Sequence, residues 1–349
     1  MIIDANMYWL PQKVFTDKEI QNEFLRSAPR KFGTKMYMET SENHIEGAGK
    51  IVVERPVGYP GLNYDSTDYR IDKQLNDLKE QRIDTGILKL PGCQEWLSLE
   101  LCRLFNDEMA KHIAESQGHL KGLAVVPPYA DEETLYELER AISDLGLSGI
   151  QLSAHYGSYY LDDEQFRPFF QKINELKVPV YVHHTPVPVD YQSIYQYDNL
   201  RRTLGRNIDQ VTAVGREIFS GMFEELPNLK LIHSMMGGGI HTYMNALFPE
   251  DSGNGRFDDR SKLFKKYFQE NIFFEMSHAQ PWGKIQLETA VKLIDSDKII
   301  YGSSYPVKNS WFTEGSAFVQ ELAITEKEKN ELLFKTADTL YNLHLCESN

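Results

Sequence analysis

Short apolar runs recur along the chain, separated by longer stretches in which apolar residues return every three or four positions. The runs cover residues 1–5, 85–90, 122–126, 149–152, 178–182, 229–232, 272–274 and 298–301. They are continuous rather than alternating and rich in β-branched residues, as expected of parallel strands covered on both faces. Ile71, Leu75 and Leu78 stand before the second run, and Leu135, Leu138 and Ile142 before the fourth, all at helical spacing. Eight strand-and-helix units in 349 residues predict an α/β fold, a single (β/α)8 TIM barrel over residues 1–349. The alternative is an open doubly wound sheet, which usually has about six strands.

Two regions break the beat. Residues 10–68 form a long polar insertion after the first run, with Pro11, Pro29, Pro56 and Pro60 among many Gly and Tyr residues. It reads as a loop excursion, a lid over the barrel mouth, since loops of that length in compact domains usually cover or bind something. Residues 249–263, with Ser252-Gly253-Asn254-Gly255, read as a second exposed loop.

A composition of 41% hydrophobic and 25% charged residues is that of an ordinary globular chain. Lys and Arg total 37 against 51 Asp and Glu, a net charge of -14 that disfavours nucleic acid and anionic membrane as partners and favours a small molecule. No window offers 18 uncharged apolar residues and the N-terminus has no basic, apolar leader, so neither export nor a membrane anchor is expected. Three scattered cysteines, Cys93, Cys102 and Cys346, fit a reducing compartment, with the cytoplasm as default.

In a barrel of this type chemistry gathers where strands finish. The residues there are Asn6 and Tyr8, Lys89, Ser153 and His155, His183 and His184, His233 to Met236 with Gly237-Gly238-Gly239, Glu275 and His278, and Ser303-Ser304-Tyr305. His183 ends a buried strand on the open face and is the leading acid/base candidate. His184 is expected to point away from it, by the alternation of an extended strand. By the same alternation His233 and Met235 share a face, which would let His233 enter the pocket from a lower layer. Glu275 is a candidate base or histidine partner, and Lys89 a buried cation in want of an anion. Gly237 to Gly239 lack the spacing of a dinucleotide loop and read as a close backbone approach.

Several segments then resemble the amidohydrolase-related family of the amidohydrolase superfamily. They are Phe105-Asn106-Asp107, Gly122 to Pro127, Gly149 to Leu152, Leu161-Asp162-Asp163, Val178 to His183, Ser220 to Phe223, the triple glycine, and Tyr301-Gly302-Ser303-Ser304-Tyr305-Pro306. The family includes decarboxylases of aminocarboxymuconate semialdehyde and of dihydroxybenzoates. The resemblance implies a metal held by a His-x-His or Glu-x-His pair after the first strand, a His after the fifth, often a His after the sixth and an Asp after the eighth. Here those positions carry Asn6 and Tyr8, His183, Met235, and Ser304. Only His183 is retained, and amide, phenol, thioether and hydroxyl groups are poor ligands for zinc or manganese.

The expectation is therefore a metal-independent enzyme of this family acting on a small aromatic or unsaturated carboxylic acid by decarboxylation, hydration or hydrolysis. His183, Glu275 and His233 are its catalytic candidates, and Tyr8, Asn6, Lys89, His184, His278 and Ser304 its substrate-binding ones. No cofactor is expected, with a divalent ion such as zinc or manganese in a rearranged site as the alternative and a non-catalytic binding protein as another. The resemblance also implies a homo-oligomer.

Overall fold

All eight apolar runs form strands, and the strands lie side by side in one parallel sheet. The structure is a computed structural model that describes residues 1–28, 34–40, 49–54, 58, 60–185, 189, 192–194, 197, 199–249 and 261–345. Its strands are β1 (Ile3–Tyr8), β2 (Lys35–Thr40), β3 (Gly49–Glu54), β4 (Pro60–Asp65), β5 (Thr85–Lys89), β6 (Leu120–Val125), β7 (Gly149–Ser153), β8 (His155–Tyr156), β9 (Tyr159–Tyr160), β10 (Val180–His183), β11 (Leu231–His233), β12 (Ile272–Glu275) and β13 (Ile299–Ile300). The large sheet runs β1-β5-β6-β7-β10-β11-β12-β13. Its two edges meet: Ala5 N donates to Tyr301 O at 3.0 Å and Tyr8 N to Tyr305 O at 2.7 Å. This seam makes the sheet a barrel and excludes the open-sheet alternative.

Alternation along each strand sorts side chains into two cores. In β10, Val180 and Val182 join the large core between strands and helices, whereas Tyr181 points into the barrel. Ile3, Ala5, Ile87, Ile232, Phe273 and Ile300 share that interior with Phe334, Ala337 and Tyr341, so the C-terminal helical segment stoppers the lower end. Each of the isoleucine and phenylalanine side chains contributes roughly 1.5–3 kcal/mol on burial.

The segment 10–68 differs from the expected loop. It holds α1 (Lys13–Thr16), α2 (Lys18–Ser27) and the antiparallel sheet β2-β3-β4. Asp17 caps α2 by accepting from Glu19 N at 2.9 Å and Ile20 N at 3.2 Å. Only Ile51, Val52 and Val53 give β3 an apolar centre, and interleaved Lys, Glu and Gly residues hide the strands from a hydropathy pattern. Residues 250–260 of the second expected loop lie outside the described residues, and a helix starts at Ser261.

The predicted helices appear as α3 (Ile71–Gln81) and α5 (Glu132–Ser143), flanking α4 (Leu99–Glu115). Asp131 caps α5, accepting from Thr134 N at 2.9 Å. Further along are α6 (Arg167–Leu176) and α7 (Arg206–Phe219), the latter continuing from a wider helical turn at Leu200–Gly205. No described helix is long and apolar enough to cross a membrane.

Candidate active site

A cavity of about 690 Å³ opens at the C-terminal ends of the barrel strands. Tyr8, His183, His184, His278 and Ser304 line it, as does Met235. Part of the remaining wall comes from places no strand-end rule marks: Arg202 in the wider turn before α7, Arg206 at the start of α7, Trp282, and Lys308 with Trp311 after the last strand. Asn63 and Asp68, from the 10–68 segment, also border it.

His183 and Tyr8 form the central contact. His183 Nδ1 lies 2.6 Å from the His184 carbonyl oxygen, which can only accept, so Nδ1 carries the ring proton. The lone pair is then on Nε2, and the Tyr8 hydroxyl, 3.2 Å away, donates to it. Burial, aided by the Lys89 charge, holds the His183 pKa well below its ordinary value and keeps the ring neutral. Burial likewise raises the Tyr8 phenol and keeps its proton on oxygen. The pair thus holds one proton between a weak acid and a basic nitrogen.

The expectation that His184 points away from His183 is not met. Their rings stack at 4.2 Å between centroids, and His278 meets His184 edge-on at 4.7 Å. Strand β10 ends at His183, so pleated alternation no longer governs residue 184, whose N–H instead donates to Ser234 Oγ at 2.9 Å. His278 Nδ1 faces Ser277 Oγ at 3.0 Å and Ser304 Oγ at 3.3 Å. Burial lowers the His278 pKa to about 3, and Arg206 and Lys89 push it the same way.

Asn6, Lys89 and Glu275 do not line the cavity but form a buried layer under it. Glu275 Oε2 accepts from Asn6 Nδ2 at 3.0 Å, Tyr181 OH at 2.9 Å and Ser277 Oγ at 3.0 Å, while Oε1 accepts from Ser277 N at 2.5 Å. Asn6 Nδ2 also lies 3.2 Å from Ser304 Oγ, which links this layer to the cavity wall. The Lys89 ammonium nitrogen sits 4.0 Å from the Tyr8 ring centre and 4.6 Å from that of Tyr181, without a hydrogen-bond acceptor. Burial lowers its pKa well below the usual lysine value. Gly302 makes the layer possible, because a Cβ there would collide with Glu275 Oε1 and lie 2.5 Å from Asn6 Cβ. Asp4, the one acid inside the first apolar run, accepts from Ser303 N at 3.0 Å and Ser303 Oγ at 2.5 Å and so anchors the turn that carries Ser304. Burial raises its pKa to about 6.

His233 is not at the cavity. It shares the outward face of β11 with Leu231, its Nδ1 lies 2.9 Å from Gln210 Oε1 and its Nε2 2.7 Å from Glu217 Oε2, both on α7. The expectation that Met235 would lie on the same side fails because the chain turns immediately after the strand. Met235 and Met236 adopt left-handed φ values of 57° and 52°, swinging the Met235 thioether into the cavity. The three glycines continue that turn, and at Gly238 any side chain would strike the Asn207 carbonyl of α7, a close backbone approach as expected.

His155 joins a buried cluster at the cavity's flank. Its Nδ1 lies 2.9 Å from the Gly157 carbonyl, and its Nε2 2.9 Å from Thr185 Oγ1 and 3.3 Å from Asp209 Oδ2. Thr185 in turn donates to Asp209 Oδ2 at 2.8 Å. Burial works against a charged ring, but the bond to Asp209 and its charge outweigh it and raise the His155 pKa. The cluster pins the first turn of α7, next to Arg206, onto the end of β10.

The amidohydrolase family model matches residues 55–343, most of the barrel described above. The chain belongs to the amidohydrolase family. This amidohydrolase is 26% identical over 339 residues to gamma-resorcylate decarboxylase of Polaromonas sp. (strain JS666), a match covering 90% of this chain and 99% of the relative. It is 24% identical over 283 residues to 2-amino-3-carboxymuconate-6-semialdehyde decarboxylase of Dictyostelium discoideum, covering 77% and 76%. Its fold matches the crystal structure of a dihydroxybenzoic acid decarboxylase from Polaromonas sp. JS666, solved with bound manganese and 2-nitroresorcinol, at a TM-score of 0.69 and 20% identity over 99% of this chain and 98% of that one.

The donor set of this amidohydrolase does not fit such an ion. Tyr8, Met235 and Ser304 face the cavity and Asn6 lies beneath, so the positions the resemblance assigns to ligands carry a phenol, a thioether, a hydroxyl and an amide, beside the stacked His184 ring and the His278 ring. The one basic nitrogen of His183 already receives the Tyr8 hydroxyl. Among the described residues, no three His, Cys, Asp or Glu side chains gather in a way that could hold a metal.

Proposed function

We propose that this amidohydrolase is a metal-independent enzyme acting on a small aromatic or unsaturated carboxylic acid, with decarboxylation as its leading reaction and hydration or hydrolysis as the alternatives. The observation that carries the reading is the Tyr8–His183 hydrogen bond on the cavity wall. In this reading a transferable proton stands where the family resemblance implies a metal ion. In decarboxylation the carbon–carbon bond to the carboxylate breaks, carbon dioxide leaves, and the electron pair left on carbon takes a proton. His183 supplies that proton after its Nε2 has taken one up from solvent water, and Tyr8 orients the ring. Burial favours neutral His183, so its imidazolium, once formed, gives up the proton readily. Glu275 acts one layer away by holding Asn6, Ser277 and Tyr181 in place, and Lys89 adds positive potential beneath Tyr8. His184, His278 and Ser304 are the groups that meet substrate oxygens.

In the same reading the 10–68 segment is the lid, supported by Asn63 and Asp68 at the cavity rim. The enzyme works as a homo-oligomer in the cytoplasm, where buried thiols such as Cys93 and Cys102 stay free. The test pairs elemental analysis of chelator-free protein with a carbon dioxide assay over hydroxybenzoates and unsaturated acids. Turnover that survives EDTA at less than about 0.1 metal per chain is expected. A stoichiometric transition metal sinks the metal-free reading, and absence of turnover with ligand affinity intact in His183→Ala favours a binding protein.

A further inference from the structure

The foot of the barrel holds a second hollow, of about 610 Å³, at the end opposite the catalytic cavity. Four lysines line it, and the topology places each of them. Lys177 caps the end of α6 on the way into β10, Lys230 immediately precedes β11, and Lys298 immediately precedes β13. Lys335 comes from the C-terminal segment that stoppers the barrel. Because β10, β11, β12 and β13 are neighbours in the sheet, residues at their entrances converge although they are far apart in sequence. In a chain of net charge -14, such a gathering of cations is a local feature and does not follow from overall composition.

The two acids at the hollow do not neutralise these lysines. Glu331 accepts from Ser296 Oγ and pairs at 3.5 Å with Lys327, which is not part of the hollow. Asp297 is largely exposed and stands 3.7 Å from Lys298, a geometry that contributes little in water. Lys177 and Lys335 have no anionic partner among the described residues. Lys230 is half-buried, and its ammonium donates to the Glu270 carbonyl at 2.6 Å, an oxygen without net charge. Burial and then the Lys298 charge lower the Lys230 pKa, so the two ammonium groups repel each other. The Lys298 ammonium lies 4.8 Å from the centre of the Phe273 ring, which gives the hollow an apolar floor.

An anion seated here relieves that repulsion. No arginine lines the hollow among the described residues, so the planar fork that matches a carboxylate is missing, while lysine ammonium groups act on phosphate as point charges. The volume lies in the range of small-molecule sites and exceeds what a single phosphate fills. We propose that the foot of the barrel binds an oligophosphate, a chain of two or three phosphate groups that is either free or carried by a nucleoside, among Lys177, Lys230, Lys298 and Lys335. The bound chain ties the entrances of β10, β11 and β13 to the C-terminal segment.

Calorimetric titration of the full chain with magnesium-free tripolyphosphate, ATP and orthophosphate, in about 50 mM salt, tests the site. Tripolyphosphate, ATP or both should bind at least about tenfold more tightly than orthophosphate, and the tighter of the two identifies the source as free or nucleoside-borne. Lys230→Met combined with Lys298→Met should weaken that binding by about tenfold or more, whereas Lys308→Met, at the other end of the barrel, should leave it unchanged. Loss in Lys308→Met with the double variant unaffected puts the anion in the catalytic cavity and overturns the proposal. Orthophosphate binding as tightly as the longer probes, or no probe binding below about 1 mM, overturns it as well. Acetylation footprinting of the unaltered chain by mass spectrometry keeps the test decisive where the double variant does not fold. Tripolyphosphate should slow acetylation of Lys177 and Lys335, and unchanged rates at both overturn the site.

Discussion

His233 and Glu217 make a buried pair at 2.7 Å, and neither side chain is exposed to solvent. Replacing His233 with alanine leaves the Glu217 carboxylate in the core without its partner, a loss of about 3–5 kcal/mol for breaking a buried pair. Unfolding entropy of roughly 2.1 cal/mol/K per residue converts this, for a chain of 349 residues, into a drop in Tm of about 4–7 °C. The network is already incomplete, since Glu217 Oε1 and Gln210 Nε2 have no hydrogen-bond partner. Removing both partners together, in His233→Leu with Glu217→Met, therefore recovers most of the loss, and the double variant should lie within about 2 kcal/mol of the parent. Urea denaturation followed by circular dichroism measures all three proteins. A single variant less than about 1 kcal/mol down, or a double variant as unstable as the single, refutes the buried-pair account. Catalytic participation of His233 makes a separate forecast: the double variant would keep its stability and lose turnover by about 10²-fold or more. The placement of His233 on the outer face of β11 predicts turnover near the parent's instead.

Tyr8→Phe should lower turnover by about 10²–10⁴-fold while changing stability by only about 1 kcal/mol, because the lost hydrogen bond matters more to proton transfer than to folding. Parallel losses of Tm and activity would assign Tyr8 to structure alone. Gly302→Ala should destabilise by about 1–3 kcal/mol and displace Glu275, and a variant with unchanged Tm would contradict the close packing at that glycine. His112, half-buried against Trp9, has its pKa lowered by burial from 6.5 to about 4. The depressed value means its contribution is complete above pH 6.5 and drains away as pH falls towards 4. Between pH 7.5 and 5 the parent should lose roughly 2 kcal/mol more than His112→Gln, and parallel stability curves would remove His112 from the account.

The barrel is legible in the sequence because strands covered on both faces must be apolar throughout, and all eight runs satisfy that condition. Strand ends are less so: β1 extends to Tyr8 because a polar Asn6 can be buried once it finds Glu275 and Ser304 across the barrel. His183 is legible as the last residue of a buried strand. His233 is misplaced when alternation is counted through Met235, since a left-handed turn resets which side a residue faces. Asp4 escapes the sequence reading, although an acid inside an apolar run is a signal that could find it. Arg202, Arg206, Lys308 and Trp311 carry no local signal, because a helix approach and a loop reach the cavity only after the tertiary fold has formed. The elements within 10–68 escaped for a different reason: their strands pair with each other, so short apolar patches suffice.

The seam between β1 and the residues after β13 has a consequence for how the protein is made. Ala5 waits for Tyr301, roughly 300 positions downstream, before one side of its strand is hydrogen-bonded. At about 5–20 residues per second on a ribosome, that interval is on the order of 15–60 seconds. Throughout it the first strand presents an open edge in a crowded cell, where another nascent chain can pair with it. Slow decoding early in the message would shift the balance towards aggregation, and a chaperone that shields the leading strand would restore the yield.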